Sequence, residues 1–508
     1  MNLASISSRA LSGIESPLVS VEVHASNGLP SLSIVGLPET SVKESKDRVR
    51  SAILNSGFTI PPKRITVNLA PADLPKSGGR YDLPIAVGIL IATGQLEVED
   101  VSRYEFLGEL ALNGQLRPIK GVLPSLLAAR ECGKVCLLPN DNMDEAVLSL
   151  LDNQVSPHFI LVSDLKDVCR VMVGDELIQP RFNSEQTHAD PIYPQDMSDV
   201  VGQYQAKRVL EISASGHHSL IMVGPPGSGK SMLASRLVTI LPALQQSEAI
   251  ESAAIKSLTG QEIGGNDFYH RSCISPHHTA SAAAIVGGGS YPKPGAVSLA
   301  HNGILFLDEI PEFNRSVLEA LREPLETKRV DICRVNQQVT YPADCLLIAA
   351  MNPSPSGYFA DDPLGRCKDT PDQIQRYQKK LSGPLLDRID LHIEVPAVEF
   401  SDLQSQDIKG ESSDVIRERV SQTRLRQLER QGCLNSELTA KQVQSTVVLD
   451  DLTTKLMEKA VNQLGISVRG YHRILRIGRT LADMEGADSV GHQHIAEALG
   501  YRLLDRIT

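Results

Sequence analysis

Long apolar runs are missing from this chain. The longest, such as Leu83 to Ala92, fall far short of the roughly 18 residues that a membrane-crossing helix needs, so a helical membrane span is not expected. Cysteines spaced for a shared purpose are missing too. The eight stand at positions 132, 136, 169, 273, 333, 345, 367 and 433, with no C-x-x-C pair to frame a zinc site or a redox centre. They read as reduced thiols in a reducing compartment. The opening "MNLASISSRA" has no basic segment followed by an apolar one, so no secretory signal is expected and the expected location is cytoplasmic. Positive charge is in deficit. A formal net charge of −11 argues against a protein that coats nucleic acid with its whole surface, so any nucleic-acid site has to be a localised basic feature. Internal repeats and low-complexity tracts are absent, and aromatic residues are only 4% of the chain. What remains is ample for a core: 508 residues, 41% of them hydrophobic, suffice for about three soluble domains.

Those domains differ in character. Residues 1–168 read as a mixed domain, with strands at "VSVEVHA" and "SLSIVG", a helix at "ETSVKESKDRVRSAILNSG" and then "ITVNLAP". A second set of elements follows in "DLPIAVGILIATG", "YEFLGELAL" and "KVCLLP". Residues 169–197 turn polar and proline-dotted ("QPRFNSEQTHADPIYPQDM"), the mark of a linker. Residues 198–397 hold four short, almost wholly apolar runs: "SLIMVG", "GILFLDE", "CLLIAAMN" and "DLHIEV". Continuous runs of this kind suit strands buried on both faces of a parallel sheet, with helices as the crossovers. Residues 398–508 are charged and helix-prone, most clearly in "SDVIRERVSQTRLRQLERQG" and "SVRGYHRILRIGRTLADMEG", and read as a helical lid.

The chemistry starts after the first apolar run. "SLIMVGPPGSGKSMLA" supplies Gly224, Pro225, Pro226, Gly227, Ser228, Gly229, Lys230 and Ser231, a complete G-x-x-x-x-G-K-S between a predicted strand and a predicted helix. Glycines let consecutive N–H groups curl around a polyphosphate at a helix N-terminus. Lys230 then reaches the β- and γ-phosphates and Ser231 Oγ coordinates Mg²⁺, so ATP and Mg²⁺ are the expected cofactors. "GILFLDEI" ends on Asp308, suited to hold Mg²⁺ through water, and Glu309, suited to polarise an attacking water. "LLIAAMN" puts Asn352 at the end of another buried strand, where it either orients that water or starts a turn before Pro353. In "PLLDRIDLHI", Arg388 stands between Asp387 and Asp390, and the residues alone leave a local salt bridge open. "SVRGYHRILRIGRT" sets Arg469, Arg473 and Arg476 at helical spacing on one face, which by itself is also what a solvated basic face looks like.

Strand, phosphate loop and helix, then acid strand, then asparagine strand is the order of the AAA+ ATPases, which this chain resembles. Longer stretches narrow the resemblance. "PHHTASAAAIVGGGSYPKPGAVSLAHNGILFLDEIPEFNRSVLEALREPLE", "QRYQKKLSGPLLDRIDLHIEVP" and "GLPSLSIVGLPETSVKESKDRVRSAILNSGF" resemble the magnesium-chelatase-like AAA+ ATPases and, within them, the bacterial ComM/YifB group, over nearly the whole chain. The resemblance implies an α/β fold, a P-loop AAA+ parallel-sheet core with a C-terminal helical lid, preceded by an α+β domain like the proteolytic domain of Lon. It also implies a hexameric ring that hydrolyses ATP and drives branch migration of DNA in natural transformation and recombination. On this resemblance Arg388 is the finger that reaches the next subunit's ATP, which calls for a closed head-to-tail ring. Arg469 becomes the second sensor arginine, with Arg473 as the alternate.

Two departures from the family pattern carry expectations of their own. The family commonly shows C-P-C-G after the sensor asparagine and C-x-C further on, which looks like a four-thiolate zinc site. Here "NPSPSGYFADDPLGRCKD" has Ser354, Ser356, Cys367 and Asp369, and one thiolate cannot hold a structural zinc, so no zinc is expected. Matching the Lon Ser–Lys dyad puts Asp82 at the serine and Leu123 at the lysine, leaving neither nucleophile nor base, so the domain is expected to be dead as a peptidase. For DNA contact the hairpin-like "ETKRVDICRVNQQVTYP" is favoured, with "VNQ" as its turn. The resemblance implies that a hairpin before the sensor strand enters the ring's pore, where Lys328, Arg329 and Arg334 would meet phosphates without reading bases. Glu326 and Asp331 offset most of that charge, and a mixed-charge surface hairpin is the alternative. The rival function is a chelatase-type motor that remodels a protein partner, against which residues 1–168 argue. An ATP-dependent protease is the third, against which Asp82 and Leu123 argue. No membrane partner is expected.

Overall fold

A computed structural model describes residues 2–151, 158–175, 193–261, 263–264, 267–289, 292–334, 337–397 and 410–502. Most of the expected linker (176–192) and the first residues of the expected lid (398–409) lie outside that description. Among the described residues, no helix is long and apolar enough to cross a membrane.

Five parallel strands carry the phosphate loop. Their order across the sheet is Cys273–Ile274, Ile304–Leu307, Leu346–Met351, Leu220–Val223 and Leu391–Glu394. The three central strands are buried at every residue, because helices cover both faces, and this is why they read as unbroken apolar runs. Alternate side chains feed two cores. Leu220, Met222 and Phe306 join one with Leu237, Ile416 and Ile474, while Ile221, Val223 and Leu305 join the other with Val317 and Leu385. The fifth strand, Cys273–Ile274, was not among the expected four. At two residues, with Cys273 exposed at the sheet edge, it leaves no hydrophobic run to read.

The C-terminal helices are built into the first of those cores. Ser413–Gln431 packs on Tyr204–Gly216 and on Lys230–Ile240, and Val468–Glu485 packs on Tyr204–Gly216. A buried polar chain ties them to the start of the sheet: His218 Nε2 is 2.8 Å from Thr480 Oγ1, and Asn435 Nδ2 donates to the same hydroxyl at 3.0 Å.

The N-terminal domain is a seven-stranded mixed sheet ordered Ser31–Val35, Arg64–Ala70, Leu18–Ser26, Leu3–Arg9, Tyr104–Phe106, Val135–Pro139 and Phe159–Val162. Helix Asp82–Ala92 lies across Leu3–Arg9 and Leu18–Ser26 and is buried almost all round. Its approach is close enough that a Cβ on Gly88 would stand 2.5 Å from Val23 Cγ2. Asp82, fully buried at the start of this helix, accepts from Arg48 Nε at 2.7 Å, Arg48 Nη2 at 3.1 Å and the Leu110 amide at 3.2 Å. Burial raises its pKa, and Arg48 and Ser45 limit the rise. Removing one partner of a buried pair strands the other. Arg48→Ala is therefore expected to cost about 3–5 kcal/mol, seen as a lowered thermal midpoint of the full chain, whereas an unchanged midpoint would mean that the pair contributes nothing.

Leu123 is equally structural. It sits with Leu148, Leu244, Ala253 and Phe268 in an apolar cluster where the N-terminal domain meets helix Gln246–Thr259. Beside it the Gly121 amide donates to the Ser257 carbonyl at 3.1 Å, and Lys120 Nζ donates to the Thr259 carbonyl at 3.0 Å.

Candidate nucleotide site and a cavity of arginines

The loop between strand Leu220–Val223 and helix Lys230–Ile240 is shaped by its glycines. A Cβ on Gly224 would stand 2.2 Å from the Val395 carbonyl oxygen, and Gly227 and Gly229 have φ of 76° and 89°, values that side chains rarely adopt. Lys230 is 8% exposed and folds its ammonium back onto the carbonyls of Gly224 at 2.8 Å and Pro225 at 2.9 Å, with Asn352 Oδ1 at 3.4 Å. Burial lowers its pKa, and Asp308 and Glu309 oppose the shift. Ser231 Oγ donates to Asp308 Oδ2 at 2.7 Å. Pro225 and Pro226 stiffen the turn, while the buried Ser228 hydroxyl has no hydrogen-bond partner among the described residues.

This donor set fits a nucleoside triphosphate with a divalent cation. The ammonium is held by exchangeable carbonyl bonds, the serine–aspartate pair offers hard oxygens to a metal, and an orphaned hydroxyl lines the loop. Glu309 follows Asp308 at the strand end with φ 51°, a strained left-handed conformation for a residue with a side chain. Asn352 ends the neighbouring strand, so Lys230, Ser231, Asp308, Glu309 and Asn352 all stand at the same edge of the sheet.

Arg388 lies at the other edge. Ser219 Oγ donates to its carbonyl at 2.9 Å just before strand Leu220–Val223 begins, whereas Lys230 comes after that strand ends. Its side chain bonds neither neighbouring aspartate: Nη2 pairs with Glu326 and Nη1 donates to the Pro384 carbonyl at 2.7 Å. Asp390 is taken by Arg473 Nε at 3.1 Å and His218 Nδ1 at 3.2 Å. Burial works to raise the Asp390 pKa, but His218, Arg473 and Arg476 hold it down at about 2. Arg388, Arg469, Arg473 and Arg476 line a single cavity of about 510 Å³. Arg388 Nε, Arg473 Nη1 and Arg476 Nε are buried there without hydrogen-bond partners among the described residues. Of the two sensor candidates Arg469 is exposed, whereas Arg473 is held in the pair with Asp390.

Three family models cover most of this architecture: "Magnesium chelatase, subunit ChlI" over residues 196–403, "Subunit ChlI of Mg-chelatase" over 21–142 and "Magnesium chelatase, subunit ChlI C-terminal" over 410–502. The competence protein ComM of Haemophilus influenzae is 47% identical across 100% of this chain and 99% of its own length. The chain belongs to the ComM/YifB family of magnesium-chelatase ChlI-like proteins. The uncharacterized protein YifB of Salmonella typhimurium is likewise 47% identical, over 100% of this chain and 98% of its own. Lon protease 2 of Bacillus subtilis is 30% identical over 149 residues, 28% of this chain and 27% of its own length. That partial likeness agrees with the Lon-like N-terminal mixed sheet.

In this ComM/YifB-family chain the positions compared with a zinc site do converge. Ser354 Oγ is 3.1 Å from Ser356 Oγ, the Ser356 amide donates to Asp369 Oδ2 at 2.7 Å, and Cys367 Sγ lies 3.8 Å from Ser356 Oγ. Hydrogen bonds therefore link the four positions. The loop rests on the phosphate loop, since a Cβ on Gly357 would stand 2.8 Å from Pro226 Cγ.

The hairpin pairs Arg329–Arg334 with Gln337–Pro342, and residues 335–336 of its expected turn lie outside the described residues. Its three cations are placed differently from one another. Lys328 is at the hairpin's base, held by Asp344 at 2.8 Å and by Glu437, because a left-handed backbone (φ 57°) turns it into the arginine cavity. Arg329 is exposed but 3.3 Å from Asp331, and Arg334 packs beside Gly288.

Two residues of this family member, His278 and Gln203, went unread in the sequence, and Glu326 was read only as a charge beside the hairpin. His278 Nδ1 is 3.4 Å from Glu309 Oε2, Gln203 Nε2 donates to the Ser228 carbonyl at 3.2 Å and the Pro396 carbonyl at 2.8 Å, and Glu326 holds Arg388. His278 closely follows the two-residue edge strand, which leaves no apolar run, so the sequence carried no signal for it.

Proposed function

We propose that the chain is an ATP-driven ring motor that binds branched DNA and promotes branch migration in recombination and natural transformation. The observation that carries the ring is the separation of Arg388 from Lys230 to opposite edges of one sheet. A guanidinium there serves a neighbouring copy's triphosphate, and a contact of that head-to-tail kind closes into a ring, here taken as a hexamer. Full-length similarity to a competence protein supports DNA as the substrate.

Within each chain Lys230 and the loop amides of residues 224–231 hold the triphosphate, and Ser231 and Asp308 hold Mg²⁺. Bound Mg²⁺·ATP supplies the phosphoryl group and a counter-charge for it. Glu309 takes the proton of the attacking water, Asn352 orients that water, and Arg388 with Arg469 offsets negative charge from across the interface. The N-terminal domain has no peptidase role, because Asp82 is spent on Arg48 and Leu123 on packing.

Phosphate release measured with and without a four-way DNA junction tests the reading. Hydrolysis is expected to rise several-fold with the junction. Indifference to DNA would favour the chelatase-type motor acting on a protein partner, which the three ChlI model matches also support.

A further inference from the structure

A second charged feature lies on the phosphate-loop side of the sheet and is absent from the nucleotide chemistry above. Helix Arg315–Ala320 follows Glu309, and helix Pro371–Gln378 follows Asn352. Between them is a cleft of about 560 Å³ lined by Arg315, Arg376, Lys379 and Lys380 against a single carboxylate, Glu312. Lys380 Nζ is 3.1 Å from Glu312 Oε1 and stands over the Tyr377 ring at 5.3 Å from its centroid. Arg315, Arg376 and Lys379 are exposed and form no ion pair with a described residue. Glu319, the other acid near Arg315, is occupied by Arg322 at 2.5 Å.

Three of the four cations have no carboxylate partner among the described residues, a local positive excess in a chain whose formal charge is −11. The cleft is open and its cations project on long side chains from two separate helices and the turn after the second, so it suits a run of phosphates along a backbone better than one enclosed phosphate. The same helix reaches inward. Tyr377 is buried with its hydroxyl at the Asn352 backbone, and Gln378 Nε2 donates to the Pro353 carbonyl at 3.3 Å. A ligand gripping Arg376 and Lys379 therefore pulls on the residues beside the sensor asparagine. On the expected hairpin Lys328 is internally paired and Arg329 faces Asp331, which leaves Arg334.

We propose that this cleft is the sequence-independent phosphate-backbone site for DNA, and that its occupancy is felt at Asn352 through Tyr377 and Gln378. The proposal rests on the DNA-motor reading. The test uses the full-length chain and compares wild type, R315A/R376A/K379A and the hairpin variant Arg329→Ala. Anisotropy with a labelled four-way junction and with a labelled single strand is followed across a salt series, beside hydrolysis with and without DNA. The triple variant is expected to bind at least about tenfold more weakly, with a log K against log salt slope shallower by about 2–3, at 0.7–0.9 per lost contact. Its DNA-free hydrolysis should match wild type while the DNA-stimulated increment disappears, and Arg329→Ala should change little. If the triple variant binds with wild-type affinity and slope while wild type still responds to DNA, the cleft assignment is overturned and the motor reading survives. If wild type neither binds DNA nor responds to it, both fall.

Discussion

Arg388→Ala alone should hydrolyse ATP about 10³–10⁵-fold more slowly than wild type, the scale of an arginine that offsets transition-state charge. The decisive measurement is mixing. Lys230→Ala chains cannot hold their own triphosphate productively but still carry Arg388, while Arg388→Ala chains have intact loops. In an equimolar mixture with random assembly, about one interface in four pairs a working loop with a working finger, so turnover near a quarter of wild type should return. The argument is geometric. Arg388 stands before strands Leu220–Val223 and Leu391–Glu394 begin, and Lys230 stands after the first of them ends. Glu326, 58% exposed, is a replaceable partner for a guanidinium whose own side chain is 14% exposed. An Arg388→Ala protein with normal turnover would reduce the arginine to a structural pair with Glu326.

Glu309→Gln is expected to keep nucleotide binding and to lose hydrolysis by about 10²–10⁴-fold, the usual contribution of a positioned proton acceptor. Binding survives because the triphosphate contacts come from Lys230, Ser231 and the loop amides, none of which needs the Glu309 charge. A labelled ATP analogue and single-turnover phosphate release separate the two steps, and Lys230→Ala should instead fail at binding. The strained backbone at Glu309 and the imidazole of His278 at 3.4 Å make this carboxylate's aim part of the site. Hydrolysis unchanged in Glu309→Gln would transfer the proton-acceptor role to another group.

Much of this site was legible because its signals are local. Gly224 to Ser231 form one turn, and Asp308, Glu309 and Asn352 each end an apolar run that burial on both faces makes continuous. Partners that come from afar were not legible in the same way. Asp387 and Asp390 are the acids beside Arg388 in sequence, yet within the chain its carboxylate is Glu326, and Asp390 answers to His218 and Arg473. Lys328 directly precedes the hairpin strand that carries Arg329 and Arg334, but a left-handed turn sends its side chain to Asp344 and Glu437.

By itself the sequence determined the chemistry available: a phosphate loop, and an acid pair and an asparagine that each end an apolar run. These follow from residue identity and short-range periodicity, which the chain carries whatever its fold. Only the tertiary structure decided which charges meet, that the arginines of helix Val468–Glu485 join Arg388 at the edge away from Lys230, and that Arg315, Arg376, Lys379 and Lys380 share one cleft. Coulomb and hydrogen-bond energies depend on separations in space, and a parallel sheet sets those by stacking strands out of sequence order.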